Sequence, residues 1–360
     1  MYSANQLFFL LAGLFFLALV FTLLVNSVFM RFFRTFGIRE NAPTMVRWNA
    51  SSKPAFGGIG FFIVFLFAFA AYGVLFPNST DPFQPELIGL LAATGLGFLM
   101  GLADDAYNTR PLLKFVTQVL CGALLLATGT SIHLFHVPWV DNSLTILWVV
   151  GMMNAINMLD NMDAITTVVS LAIFIAALAV QLLTNAASDI NTILIIAVCG
   201  ALGGFLFFNW HPSRMYMGDT GSQFLGVLLA YMGICYFWNG ESLDGVVEPW
   251  RQISVSIVVF ILPLADTTTV TINRMLRGRS PFVGGKDHTT HFLSYIGLTD
   301  SQVAMGFGGV GLMSGFLSYI ALRFIPEWHL LHTLLYLGYA ALVFLFLFGS
   351  TKRPGIDRPL

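Results

Sequence analysis

Four short polar stretches carry the side chains able to do chemistry in an otherwise apolar chain. They are Asp104-Asp105, Asn154-x-x-Asn157-x-x-Asp160-x-x-Asp163, Gly218-Asp219-Thr220-Gly221-Ser222 and Lys286-Asp287-His288-x-x-His291. Each lies at the boundary of a hydrophobic run. An acid costs about 2.5–3.5 kcal/mol at the centre of a membrane helix, so gathering several beside apolar segments needs a chemical reason. Hard oxygen ligands suit magnesium, which takes one or two carboxylates together with substrate phosphates. The chemistry implied is a divalent metal holding a pyrophosphate at a membrane surface.

Adjacent helical residues point about 100° apart, so Asp104 and Asp105 face one ligand only where the helix ends. Negative charge at a helix C-terminus also opposes the macrodipole. Lys114 either supplies a cation for a phosphate or snorkels to the interface. In the Asn/Asp series each step of three lags by about 60°, so the segment is predicted to unwind near Asp160. Gly218–Ser222 reads as a turn into a helix whose N-terminal amides favour anions. Asp219 there is an oxygen ligand or a cap. The loop with Arg274, Arg277, Arg279, Lys286, His288 and His291 fits phosphate oxygens. Two histidines three apart, with no third soft ligand, do not make a zinc site. Asp266, beside three threonines in an apolar run, is expected to pair with an arginine or histidine of that loop. It would otherwise support the site from behind. Gly57-Gly58 reads as packing, and His133, His136 and His211 as interfacial or loop residues.

The elements that position these residues follow from composition. The 360-residue chain is 57% hydrophobic and 10% charged, with mean hydropathy +0.79. Soluble proteins carry about 25% charged residues, so a soluble globular fold is excluded. A net charge of −1 without a basic tail gives no footprint for nucleic acid. Cys121, Cys199 and Cys235 sit in apolar runs without CxxC spacing and read as small hydrophobes. The run 7–30 is too long for a signal peptide and reads as a retained first span.

The chain is expected to be an all-α polytopic membrane protein with about eleven spans. These centre on 7–30, 56–76, 86–103, 114–131, 143–159, 164–184, 191–208, 222–238, 252–272, 303–323 and 331–349. Connectors 77–85, 131–142, 185–190, 239–251 and 324–330 fall on one side. Fifteen Lys and Arg fall on the other, and only Arg251 and Arg323 lie near the first. The positive-inside rule then places the N-terminus out and the C-terminus in the cytoplasm. Residues 1–360 are read as a single integral-membrane domain. Its cytoplasmic loops 31–55, 104–113, 209–221 and 273–302 form the active-site face. GxxxG spacings at Gly97, Gly200 and Gly311 predict close helix approaches, and Pro263 predicts a kink.

Together, the Asp-Asp pair, NAINMLDNMD, GDTGS and KDHTTH resemble the polyprenyl-phosphate N-acetylhexosamine-1-phosphate transferases (glycosyltransferase family 4). The likeness spans about residues 40–300. It implies attack by a polyprenyl phosphate, here undecaprenyl phosphate, on the β-phosphate of a UDP-N-acetylhexosamine, with release of UMP. The paired asparagines look closer to the WecA type, which transfers N-acetylglucosamine 1-phosphate, than to the phospho-N-acetylmuramoyl-pentapeptide type. By this resemblance Asp219 and Asn157 hold Mg²⁺, for which Mn²⁺ substitutes. Asp104 or Asp105 positions or deprotonates the lipid phosphate that Lys114 holds. Asp160 and Asp163 serve the nucleotide end as part of the catalytic set. Asn154, Lys286, His288 and His291 contact substrate. Direct attack is favoured over an aspartyl-phosphate intermediate. The implied location is the bacterial cytoplasmic (inner) membrane, with a homodimer compatible, and the product starts a lipid-linked envelope glycan such as O-antigen. Asn161 and Ala164 depart from the family's two glycines, and HTTH departs from its HIHH-like form. A transporter is the competing class, since intramembrane acids also mark ion routes. Transporters, however, show internal repeats and acids near the midplane, and this sequence has neither.

Overall fold

The computed structural model describes residues 3–36, 53–76, 84–183, 189–241, 245, 247–280 and 285–352. Arg39 and Arg47, most of the connectors 77–85 and 185–190, and the tail from Arg353 lie outside the described residues. With no water in a bilayer core, backbone groups must be satisfied within their own segment. Every regular element among the described residues is accordingly helical. In chain order these are α1 (Ala4–Phe36), α2 (Gly57–Leu75), α3 (Pro85–Tyr107), α4 (Pro111–Ala127) and α5 (Pro138–Leu159). Next come α6 (Ile165–Leu183), α7 (Ile190–Asn209) and α8 (Gly218–Gly233), which continues as a π turn to Trp238. Then follow α9 (Pro249–Val259), α10 (Ile261–Leu276), α11 (Thr289–Tyr295), α12 (Asp300–Arg323) and α13 (Leu330–Ser350). Proline opens α3, α4, α5 and α9, where its missing N–H costs nothing.

All eleven apolar windows fall on helices, but not every one of these is by itself long and apolar enough to count as a span. Among the described residues, nine helices are long and apolar enough to cross a membrane, or ten if α9 and α10 count as one bent span. The remaining window is α4, which has only 17 residues. The α9–α10 pair bends by 75°. Pro263 cannot donate to the carbonyl of Val259, the last residue of α9, so the break falls one turn before the proline.

The bundle is built around α8. Its spanning window is 94% buried, against 11% for α1 at the periphery. Helices α2, α3, α5 and α6 pack on α8, while α1 leans on α7 and α2. All three GxxxG pairs sit at close approaches. A Cβ on Gly101 would overlap the Asp219 carbonyl, and one on Gly204 would press Leu19 O of α1. On α12, Cβ atoms on Gly311 and Gly315 would each stand 2.8 Å from Ala172 and Ala176 of α6. Cys121 and Cys199 are buried, Cys235 is partly so, and all three are unpaired.

Connectors meet in two groups, one at each end of the bundle. At one end His133 N donates to Asn239 Oδ1 (2.9 Å), and Arg251 donates to the carbonyls of Ile325 and Pro326. At the other, Tyr216 N donates to Pro54 O, Thr220 N donates to Asp105, and His211 meets Asp300. Every expected site residue lies toward this second end.

Gly101→Ala should lower the thermal midpoint in detergent, by about 1–3 kcal/mol of overpacking. Gly73→Ala, whose new Cβ meets nothing within 4 Å, should not. Equal effects would show that the α3–α8 approach is looser than described.

Candidate functional site

The site begins where α3 ends. Asn108 adopts φ 52° as its C-cap and returns its N–H to the Asp104 carbonyl. The helix end lets Asp104 and Asp105 point to different partners. Asp104 Oδ1 accepts from the amide (2.8 Å) and hydroxyl (2.5 Å) of Thr109, and Oδ2 meets Lys114 Nζ at 2.5 Å. Asp105 turns instead to the start of α8. It accepts from Asp219 N (3.0 Å), Thr220 N (2.9 Å) and the Thr220 hydroxyl (2.6 Å). The N-cap position itself, Met217, gives no side-chain bond. Asp105 therefore caps α8 from a neighbouring helix, and Asp219 is not the cap. Gly218 at φ +72° lets the chain pass this carboxylate, because a Cβ there would come within 2.6 Å of Asp105 Oδ2. The expected turn is the first turn of α8.

With α8 held this way, Asp219 faces α4 and α5. Lys114 Nζ lies 2.7 Å from Asp219 Oδ2, bridging it to Asp104. Asn157 Nδ2 donates to Asp219 Oδ1 (3.0 Å) and Ser222 Oγ (2.8 Å). Asn154 lies one turn deeper on α5 and donates to Gln118 Oε1 (2.7 Å). The chain unwinds after Leu159, as expected, with Asp160 as C-cap. Burial and the charges of Asp219 and Asp105 push the Asp160 carboxyl up to about 8. Asp104, Asp105, Asp160 and Asp219 thus converge with the Lys114 ammonium between two of them. Oxygen donors carrying surplus negative charge are the set a hard divalent cation takes.

Asp163 is turned to a different group of partners. Its oxygens accept from Ser213 N (3.0 Å), the Ser213 hydroxyl (2.6 Å) and His211 Nδ1 (3.0 Å), and Lys53 stands 3.8 Å away. Burial alone would raise Asp163, but the Ser213 bonds, with Lys53 and His211, bring it below the usual carboxylate range. His211 also lies 3.3 Å from Asp300 at the start of α12, so it does more than line a loop. Asp163, His211 and Asp300 are grouped closely enough to hold a cation. With Lys53 and Ser213 already on Asp163, the group reads better as an ion-paired tether. Asn209, which the sequence reading passed over, accepts from Ala164 N (3.1 Å) and the Thr167 hydroxyl and donates to Met215 O. A side chain that closes a helix and reaches two loops leaves no periodic signal.

The departures from the family pattern have local explanations. Ala164 sits at φ +66°, a conformation that glycine takes freely and alanine takes under strain. Asn209 holds it there. Asn161 donates to Met158 O and accepts from the Thr290 hydroxyl, tying the Asn/Asp turn to the histidine loop.

In that loop, Asp266 is fully buried on α10 and pairs with His288, as its position implied. Its oxygens accept from His288 Nδ1 (2.8 Å), Thr289 N (2.8 Å) and the Thr289 hydroxyl (2.6 Å). Arg274 clamps Asp287 through two bonds of 2.8 and 2.7 Å and holds it below the usual range despite its burial. Burial, with the charges of His288 and Lys286, pushes His291 down to about 4. His291 is therefore neutral at pH 7, its ring 5.9 Å from that of His288. Lys286 is half-buried at the loop's start.

Residues 87–237 match the Glycosyl transferase family 4 profile. The chain is 26% identical over 323 residues to a probable undecaprenyl-phosphate N-acetylglucosaminyl 1-phosphate transferase of Bacillus subtilis. That match covers 87% of this chain and 85% of the relative. It is 25% identical over 288 residues to a decaprenyl-phosphate N-acetylglucosaminephosphotransferase of Mycobacterium tuberculosis, covering 71% and 69%. It is 27% identical over 299 residues to a phospho-N-acetylmuramoyl-pentapeptide-transferase of Levilactobacillus brevis, covering 77% and 86%.

Asp105→Ala should remove the cap of α8 and cost about 0.5–2 kcal/mol of stability, read as a lower thermal midpoint. An unchanged midpoint would mean that the helix start needs no cap from α3. Asp160 binds its proton more tightly folded than unfolded, so its contribution to stability is lost as pH rises from about 4 to about 8. Asp160→Asn in chelator should therefore be more stable than wild type at pH 8, the gain shrinking toward pH 5. A gain independent of pH would contradict the raised carboxyl.

Proposed function

As a member of glycosyl transferase family 4, the polyprenyl-phosphate N-acetylhexosamine-1-phosphate transferases, this integral membrane protein is a polyprenyl-phosphate sugar-1-phosphate transferase, and we propose that it moves N-acetylglucosamine 1-phosphate from UDP-N-acetylglucosamine to undecaprenyl phosphate. A lipid-phosphate oxygen bonds to the β-phosphorus of the nucleotide sugar. The bond from that phosphorus to the bridging oxygen breaks, and its electron pair leaves with UMP. The observation that carries the reading is the convergence of Asp104 and Asp219 on Lys114, with Asn157 bonded to Asp219 and Asp160 within reach of the Asp219 charge, where α3, α4, α5 and α8 end or begin. Support for the sugar comes from the Bacillus relative, matched over most of its length. The Levilactobacillus relative supports phospho-N-acetylmuramoyl-pentapeptide as the second reading.

Magnesium, held by Asp219, Asn157 and Asp104, would neutralise the diphosphate and ease departure of UMP. Lys114 already bridges two carboxylates and is placed to exchange one of them for the lipid phosphate. A phosphate near pKa 6 is largely dianionic at neutral pH, so Asp104 positions more than it deprotonates. Asp105 works through α8, by fixing where Asp219 stands. Asp160 and Asp163 serve the nucleotide end, Asn154 the floor of the site, and Lys286, His288 and His291 the diphosphate and sugar. Neutral His291 would accept a hydrogen bond from a sugar hydroxyl, while Asp266 fixes the ring of His288. Fifteen of the seventeen Lys and Arg fall in the sequence segments assigned to the same side as the four polar stretches, which supports a cytoplasmic site in the bacterial inner membrane.

Purified protein in detergent, given UDP-N-acetylglucosamine, undecaprenyl phosphate and Mg²⁺, should release UMP in a lipid- and metal-dependent way. Asp219→Ala should reduce this by about a hundredfold or more. UMP only from UDP-N-acetylmuramoyl-pentapeptide would move the conclusion to the second reading. Folded protein silent with every UDP-sugar would overturn the transferase assignment.

A further inference from the structure

Beneath the site lies a second polar layer. Helices α4 and α8 run away from the site's end of the bundle, and α5 runs toward it. A step of four residues on α4 or α8 goes about 6 Å deeper, and a step of three back along α5 goes about 4.5 Å. Those steps lead from Lys114 to Gln118, from Asp219 to Gln223, and from Asn157 to Asn154. The three deeper residues touch one another. Asn154 Nδ2 donates to Gln118 Oε1 (2.7 Å), and Gln118 Nε2 donates to Gln223 Oε1 (3.4 Å).

The direction of this chain is fixed. Asn154 Nδ2 also donates to Val150 O (2.9 Å), and a backbone carbonyl can only accept. Gln118 must therefore offer its oxygen to Asn154, which leaves its N–H groups for Gln223. The Asn154 carbonyl oxygen is thereby left as an acceptor. Such a layer is poor packing. Gln118 and Gln223 are each 1% exposed, and Gln223 Nε2 has no hydrogen-bond partner among the described residues. A buried donor left unmade costs about 1–3 kcal/mol, whereas leucine or methionine would fill the same space without one.

We propose that Gln118 and Gln223 are positioning residues for the transfer reaction. They lock α4, α5 and α8 in the register that sets Lys114, Asp219 and Asn157 around the metal and phosphates, and they orient Asn154. This inference rests on the transferase reading. It adds two residues that lie outside all four polar stretches and touch none of the reacting groups.

Gln118→Leu and Gln223→Leu separate positioning from simple support. Gln118→Leu leaves Asn154 and Gln223 each short of a partner and should lower the thermal midpoint modestly, whereas Gln223→Leu also removes the unmade donor and should stay near wild type. Their kcat should nevertheless fall by about 10- to 100-fold, the range seen when groups orienting metal ligands are removed. Mn²⁺ affinity, read by electron paramagnetic resonance without turnover, should weaken several-fold. The Gln118→Leu/Asn154→Ala double variant should be no worse than the worse single one, because both cut the same chain. Wild type that neither releases UMP nor binds Mn²⁺ overturns the transferase reading and this inference with it. Active wild type matched within twofold by Gln118→Leu in both kcat and Mn²⁺ affinity overturns the positioning role alone. Activity lost only in proportion to folded protein does the same.

Discussion

The cap that Asp105 of α3 places on the first turn of α8 is the contact on which the rest of the site depends. A helix N-terminus leaves amides without intrahelical partners, and inside a membrane bundle water is not at hand to take them. Asp105 satisfies two of these amides and the Thr220 hydroxyl together. Only glycine at 58, 101 and 221 allows α2, α3 and α8 to come this close. Once the turn is fixed, Asp219 can stand only where Lys114 and Asn157 reach it. An interaction that looks like local capping thus fixes the geometry among three other helices.

Charge sets the second constraint. The Lys114 ammonium bridges carboxylates from α3 and α8, while the Asp160 carboxyl of the α5–α6 turn feels the negative charge of Asp219 and Asp105. The pressure shows in Asp160, which stays protonated well above the ordinary range. By contrast, Asp163, Asp266 and Asp287, farther from that knot, are each paired with His, Ser, Thr or Arg partners. Asp160, with no such cationic partner among the described residues, is the acid of the group that burial and like charge leave least compensated.

The two substitutions in the Asn/Asp turn act in opposite senses. Alanine at 164 carries a strained left-handed conformation, offset by the bond from its N–H to Asn209. Asparagine at 161 gains a contact that glycine lacks, the bond to Thr290. The turn is therefore stapled on one flank to the end of α7 and on the other to α11. Histidines 288 and 291 inherit their placement from that second staple and from Asp266 on α10.

Much of this was legible in the chain. Hydropathy marked all eleven apolar segments, since helices are the one economical way to bury a backbone in lipid. The four polar stretches stood out because charged residues are rare in such runs. Helical angles predicted the unwinding at Asp160, and small residues at spacing four marked the close approaches. What sequence could not give was partnership. Period and propensity say which face of a helix a residue occupies, not which other helix that face meets. Asp105 as a cap for α8, His211 between Asp163 and Asp300, Asn209 behind Ala164, and Gln118 against Gln223 all join residues far apart in the chain. Their pairing depends on crossing angle and register among packed helices. The count of spans has the same dependence. Pro111 opens α4, which runs only 17 residues to Ala127, and whether a segment that short crosses a bilayer is decided by its neighbours rather than by its own hydropathy.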